Sequence, residues 1–275
     1  VTLTDPESTL QDERGPSLLS AFKRHGLATF RTYHRHRVRG GLTAPERPTL
    51  FVANHGFGGA FDVNVLALVA TLDSLGVDRP VTILAHQSIW TLGMGRLAEP
   101  LGARPAGRES ALEAFGKGHH VVVFPGGDLD AFKPFQARNT VVLGGRSGFA
   151  RLAMEAGVPI VPIVTAGAGE TALVLSDGQP LANALRLPQL LRLKAIPVSI
   201  AAPWGLNVGI AGILPYLPAP ARLSTFVLPA ALPEPTESAA EFADRIGIAM
   251  QAALDDLVAP SVRALRPWLT PTSDS

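Results

Sequence analysis

Short apolar runs that end in glycine or proline turns, and then give way to segments of helical periodicity, recur along this chain. Thr49–Asn54 runs into Gly56, and the residues after Asp62 place Val63, Leu66, Val69, Ala70 and Leu72 at helical spacing before Gly76. His120–Phe124 is rich in β-branched residues and runs into Pro125-Gly126-Gly127, while Ser147–Ala156 reads as a helix stopped by Gly157 and followed by a strand over Val158–Thr165. Val81–Ala85, Val198–Ala202 and Leu223–Val227 read as further strands, and Ser88–Ala98, Glu109–Lys117 and Glu237–Val258 as helices. Strands separated by helices need crossover connections. The pattern therefore predicts an α/β fold with a mainly parallel central sheet flanked by helices.

The punctuation shows no internal repeat, and the proline-rich segments 215–220 and 229–235 read as loops rather than linkers. The 275 residues thus read as a single domain. Residues 1–16 are polar and expected to be mobile. Residues 17–36 form an amphipathic helical segment with Leu18, Leu19, Phe22, Leu27 and Phe30 on one face; 37–235 form the core, and a C-terminal helix lies within 236–266.

Hydrophobic residues make up 47% and charged residues 17% of the chain, against about a quarter charged in ordinary domains. A chain this apolar either buries its surplus or keeps apolar surface for lipid or a partner. Net charge is +1, which carries no nucleic-acid signature. The charge is uneven, however: Lys23, Arg24, Arg31, Arg35, Arg37 and Arg39 fall in one acid-free stretch that suits either a solvated face or an anionic membrane surface. Cysteine is absent, which excludes disulfides and thiolate chemistry.

No secretory signal is visible, so a cytoplasmic protein is expected, peripheral at most on the inner face of the membrane. The uncharged stretch between Lys194 and Arg222 is long enough to span a bilayer, yet Pro197, Pro203, Pro215, Pro218, Gly205, Gly209 and Gly212 interrupt it. Its apolar residues Trp204, Leu206, Ile210, Ile213, Leu214, Tyr216 and Leu217 line an apolar channel, touch lipid or form ordinary core.

One turn carries recognisable chemistry. His55 leaves the end of a buried strand at a glycine-rich loop, Gly56 to Gly59, with Asp62 downstream. A histidine so placed, with a carboxylate to fix its tautomer and stabilise imidazolium, is what a general base requires. Asp62 also suits a helix N-cap. His119 and His120, adjacent on a strand, point to opposite faces and make a poor chelating pair. His86, at another strand end, has no acid near it in sequence.

Four blocks in order resemble the lysophospholipid and glycerolipid acyltransferase superfamily, most closely its monoacylglycerol and diacylglycerol acyltransferase-like branch. They are Asn54-His55 through Asp62, Leu101 through Arg108, Val121 through Gly127, and Ser147 through Ile163. The resemblance implies an enzyme moving a fatty acyl group from acyl-CoA or acyl carrier protein to a hydroxyl of a lipid-like acceptor. His55 and Asp62 would be the catalytic pair, and Asn54, Gly58, Arg108, Phe124, Pro125, Gly126 and Gly127 would surround acceptor and oxyanion. It implies no cofactor beyond the thioester co-substrate, and no metal.

Two departures mark the chain. Six residues separate His55 from Asp62, where the family commonly has four, and a continuous helix would set the pair about 10 Å apart. The glycines instead allow a loop that folds Asp62 back. Gly126 also stands where phosphate-handling members carry Glu, and Asp128-Leu129 replaces their Thr-Arg, which favours a neutral or otherwise different acceptor. An amine or natural-product acceptor, thioester hydrolysis, and a non-catalytic lipid-binding protein on the same fold are the alternative readings.

Overall fold

The computed structural model describes residues 18–41, 43–57, 62–91, 93, 95–186, 197–208 and 216–269. Gly58, Ile210, Ile213 and Leu214 lie outside the described residues, as do the side chains of Leu18, Leu19 and Phe22.

Among the described residues, ten strands build two sheets. In chain order they are β1 (Arg37–Gly40), β2 (Leu50–Ala53), β3 (Val81–Ala85), β4 (Ala103–Pro105), β5 (His120–Val123), β6 (Ile160–Ala166), β7 (Leu173–Ser176), β8 (Val198–Ala201), β9 (Gly205–Val208) and β10 (Ser224–Val227). The large sheet has the order β1-β10-β6-β2-β5-β3-β4. Strands β6, β2, β5, β3 and β4 run parallel, and β10 with β1 returns antiparallel along β6. The mainly parallel sheet expected from the alternation is therefore present. Strands β7, β8 and β9 form a separate antiparallel sheet, which the sequence pattern did not distinguish from the main one.

The parallel strands are buried on both faces, and successive residues serve opposite layers. Leu50 and Val52 face a core with Phe149, Leu152 and Phe242, whereas Phe51 and Ala53 face Leu68 and Leu72 of the Val63–Ser74 helix. The C-terminal helix, Ala239–Leu269, presents Phe242, Ile246, Met250 and Leu254 at four-residue spacing to the first layer. Ser88–Ala98 is not one helix but two short ones, Ser88–Thr91 and Gly95–Ala98, parted at Gly93 with its positive φ of 76°.

Three histidines lie inside this frame. His120 is fully buried against Phe51, with ring centroids 5.3 Å apart, and burial lowers its pKa. His34 is lowered for the same reason. His36 meets Thr225 Oγ1 at 2.9 Å, and burial, then the nearby Arg31 and His34, push its pKa down to about 4. An unfolded imidazole titrates near about 6.5, so between the two values the unfolded chain binds more protons and stability rises with pH. The contribution is complete above the unfolded value and is lost as pH falls toward about 4. The urea midpoint should drop across that window, and His36→Gln should flatten part of the drop; a parallel curve for the variant would show that His36 plays no part.

Candidate active site

The His55–Asp62 turn sits at the carboxyl end of β2, the central edge of the parallel strands, where open α/β sheets place their ligands. Asn54 anchors it. Its side-chain amide donates to Thr165 O at 3.1 Å and its oxygen accepts from Thr165 N at 2.8 Å, so β2 stays fixed to β6 after regular pairing ends. Asn64 Nδ2 then donates to Asn54 O at 2.7 Å, tying the start of the Val63–Ser74 helix to the same point.

Asp62 serves two partners with two oxygens. Oδ1 accepts the Asn64 N–H at 2.7 Å as the N-cap of the helix, and Oδ2 meets His55 Nδ1 at 2.5 Å. The helix begins only at Val63, and the carboxylate reaches the ring although six residues separate the two in sequence. The capping role and the pairing with His55 coexist. Engaging Nδ1 leaves Nε2 as the nitrogen available to an acceptor, and the His55 side chain keeps 16% of its exposure. Phe124 lies against the ring, with centroids 4.5 Å apart and planes 26° from parallel.

The backbone of His55 is held as firmly as its side chain. Asp130 Oδ2 accepts the His55 N–H at 2.6 Å, and Lys133 Nζ donates to His55 O at 3.0 Å. Lys133 also donates to Asp130 Oδ1 at 2.6 Å and to Thr140 O at 2.9 Å, while Val142 N–H reaches Asp130 Oδ1 at 3.1 Å. Both charges are almost wholly buried, 4% and 1% exposed, and every ammonium proton has an acceptor. Sequence reading missed this pair. The available signal was two opposite charges three residues apart inside the otherwise apolar run Leu129-Asp130-Ala131-Phe132-Lys133-Pro134-Phe135.

The Pro125-Gly126-Gly127 turn lies beside Phe124 and opens the short helix Gly127–Ala131. A Cβ at Gly126 would come within 2.1 Å of Val142 O and 2.3 Å of Asp130 Cβ. A glutamate side chain has no room here. Gly127 has a φ of 52°, and its N–H is engaged by Phe124 O at 3.1 Å. Arg146, which no motif singled out, donates to Pro125 O at 2.8 Å and reaches Asp128 Oδ1 at 3.3 Å. Its guanidinium braces the turn, and its charge is opposed there by Asp128.

Arg108 stands apart from this cluster. It opens the Arg108–Gly116 helix, is largely exposed, and pairs with Glu155. Phe57, two residues beyond His55, joins Phe132, Val174, Ala201 and Tyr216 in a buried cluster that seats the small sheet over the His55 turn. Tyr216 is buried rather than lining open space. Burial pushes its phenol up to about 12, against the pull of its hydrogen bond with Thr171, and the charge of Asp62 adds to the rise. Among the described residues no group of histidine, aspartate and glutamate side chains could hold a metal ion.

An acyltransferase family model matches residues 31–166, which contain the His55 turn, Asp62, the Gly126–Gly127 turn and the Asp130–Lys133 pair. A chicken protein described as a DGAT1/2-independent enzyme synthesizing storage lipids is 28% identical over 202 residues, covering 73% of this chain and 57% of that protein. The human protein of the same description is 29% identical over 135 residues, covering 48% of this chain and 40% of its own length. The match thus spans 57% of the length of the chicken relative and 40% of the human one. The crystal structure of the 1-acyl-sn-glycerophosphate acyltransferase PlsC from Thermotoga maritima aligns with a TM-score of 0.47 at 15% identity, over 86% of this chain and 81% of that one. By its family match and its relatives, this chain is similar to the acyltransferases over a region that contains the His–Asp turn.

Proposed function

We propose that the protein transfers a fatty acyl group from a thioester, acyl-CoA or acyl carrier protein, to a hydroxyl of a neutral, lipid-like acceptor. The observation that carries this reading is the 2.5 Å contact between His55 Nδ1 and Asp62 Oδ2, seven positions apart in sequence. A protein that had lost turnover has no need of that pairing. In the reaction, His55 Nε2 takes the acceptor hydroxyl proton as the oxygen attacks the thioester carbonyl. Asp62 holds the tautomer and stabilises the imidazolium. A backbone amide of the Pro125-Gly126-Gly127 turn meets the developing oxyanion. Collapse breaks the carbon–sulfur bond, and the departing thiolate recovers the proton from His55. No covalent acyl-enzyme is required, and no bound cofactor.

The neutral acceptor is supported by the crowding at Gly126 and by the opposition of Arg146 by Asp128, which leave a phosphate no fixed, uncompensated guanidinium at this turn. The storage-lipid description of the relatives points the same way. Site and substrate together suggest a protein that works peripherally on the inner face of a membrane. Among the described residues no helix is long and apolar enough to cross one.

The test is steady-state transfer from labelled acyl-CoA or acyl carrier protein to monoacylglycerol, diacylglycerol and lysophosphatidic acid. Ester should form with the neutral acceptors at a kcat/KM well above that for the phosphate. Free fatty acid forming at the same rate without acceptor would mark a thioesterase. Preference for lysophosphatidic acid would overturn the neutral-acceptor reading.

A further inference from the structure

The small sheet is built inside out. In its registered rows Val174, Ser199 and Asn207 face inward, so two polar residues of the three point into the protein, and Ser199 Oγ has no hydrogen-bond partner there. The opposite row, Leu173, Ile200 and Leu206, faces outward together with Val208, and these four are 39%, 42%, 64% and 51% exposed. A half-buried antiparallel sheet ordinarily shows the reverse pattern, apolar in and polar out. Trp204 at the β8–β9 hairpin and Leu217 beside it add 53% and 68% exposed apolar surface. No residue of 171–176, 197–208 or 216–221 is charged.

Positive charge borders this face. Arg35, Arg37 and Arg222 are exposed, and Arg37 N–H donates to Leu223 O at 3.0 Å, so the basic stretch and the chain leaving the small sheet meet at one point. Register puts Arg37 level with Ser224 and Ala166, at the same sheet edge as His55. Tyr33 Oη donates to Pro218 O at 2.8 Å and shares with Leu173, Ile200 and Leu217 a groove of about 460 Å³. Glu170 on that groove is opposed by Arg138 at 3.9 Å.

We infer that the outer face of the small sheet docks on an anionic lipid bilayer. The apolar row enters the acyl boundary, and the arginines meet lipid phosphates. Because the inner face of the same sheet packs on Phe57, two residues from His55, docking sets the catalytic turn one side-chain layer above the lipid. The inference rests on the lipid-acceptor reading and names the surface through which such an acceptor arrives.

The experiment is co-sedimentation of the full chain with phosphatidylcholine vesicles, with and without phosphatidylglycerol. The protein should pellet with the anionic vesicles and be released by salt. Leu206→Asp with Val208→Asp should cut the bound fraction at least tenfold while far-UV circular dichroism stays native. If that pair disturbs folding, Leu206→Gln alone should still weaken binding several-fold. Wild-type protein that stays in the supernatant, or a folded variant that pellets like wild type, overturns the inference. So does a wild-type dimer in light scattering that these substitutions dissolve without any vesicle binding, since the face would then belong to a second copy. Pelleting needs no turnover, so its failure is separate from failure of the catalytic reading, which is judged on transfer to a short-chain acceptor free in solution.

Discussion

Lys133→Met should be among the most damaging single substitutions in this protein, although Lys133 lies outside every motif that marks the family. It removes the cation from a nearly water-free site and leaves Asp130, 1% exposed, with an uncompensated charge. Breaking a buried pair from one side costs about 3–5 kcal/mol, a large share of the roughly 5–15 kcal/mol that holds a domain folded. The carbonyls of His55 and Thr140 also lose their donor. Denaturant unfolding should show the loss directly. Activity should suffer beyond the loss of folded protein, because the His55 main chain is gripped at both N–H and C=O by this pair. At a temperature where the variant is fully folded, kcat should fall at least tenfold with the acceptor KM little changed. Lys133→Arg, which keeps the charge, should recover part of both. A variant as stable and as fast as wild type would show that the pair does not position the catalytic turn.

How far the sequence foretold this site follows from where each residue gets its information. Leu50–Ala53 and Ile160–Ala166 are buried at every position, and such continuous apolar runs are legible because burial on both faces leaves no choice of residue. Strand β1, Arg-Val-Arg-Gly at the sheet edge, was not legible, since its pairing with β10 is made by backbone and its side chains are mostly exposed. Strands β7 and β9 escaped because most of their apolar residues, Leu173, Leu175, Leu206 and Val208, point outward, against the usual pattern.

At the site, His55 and Asp62 were found from motif order, but the distance between them depends on how a glycine loop folds. The N-cap on Asn64 is what fixes Asp62 at the loop's far end. Asp130, Lys133 and Arg146 were hidden for a different reason. Their roles are set by contacts 75, 78 and 21 residues away in sequence, with His55 and Pro125. The meaning of Gly126 changed as well: its lack of a side chain makes space for Val142 O rather than only for a ligand.

His55→Ala carries the largest catalytic expectation. Proton removal by a positioned base contributes about 10²–10⁴-fold, and His55 is the imidazole that Asp62 orients, so loss of the ring should cost about a thousandfold in kcat. Stability should change little by comparison, because the backbone contacts to Asp130 and Lys133 do not involve the ring. Asp62→Asn should cost less in rate than His55→Ala, since the ring remains, but it also exchanges the cap and the carboxylate together.

The most direct measurement is therefore the initial rate of acyl ester formation from a labelled thioester and a neutral acceptor, wild type against His55→Ala, with both proteins shown to be folded. The account predicts ester from the wild type and a loss of about three orders of magnitude in the variant. Rates within a few-fold of each other would contradict it.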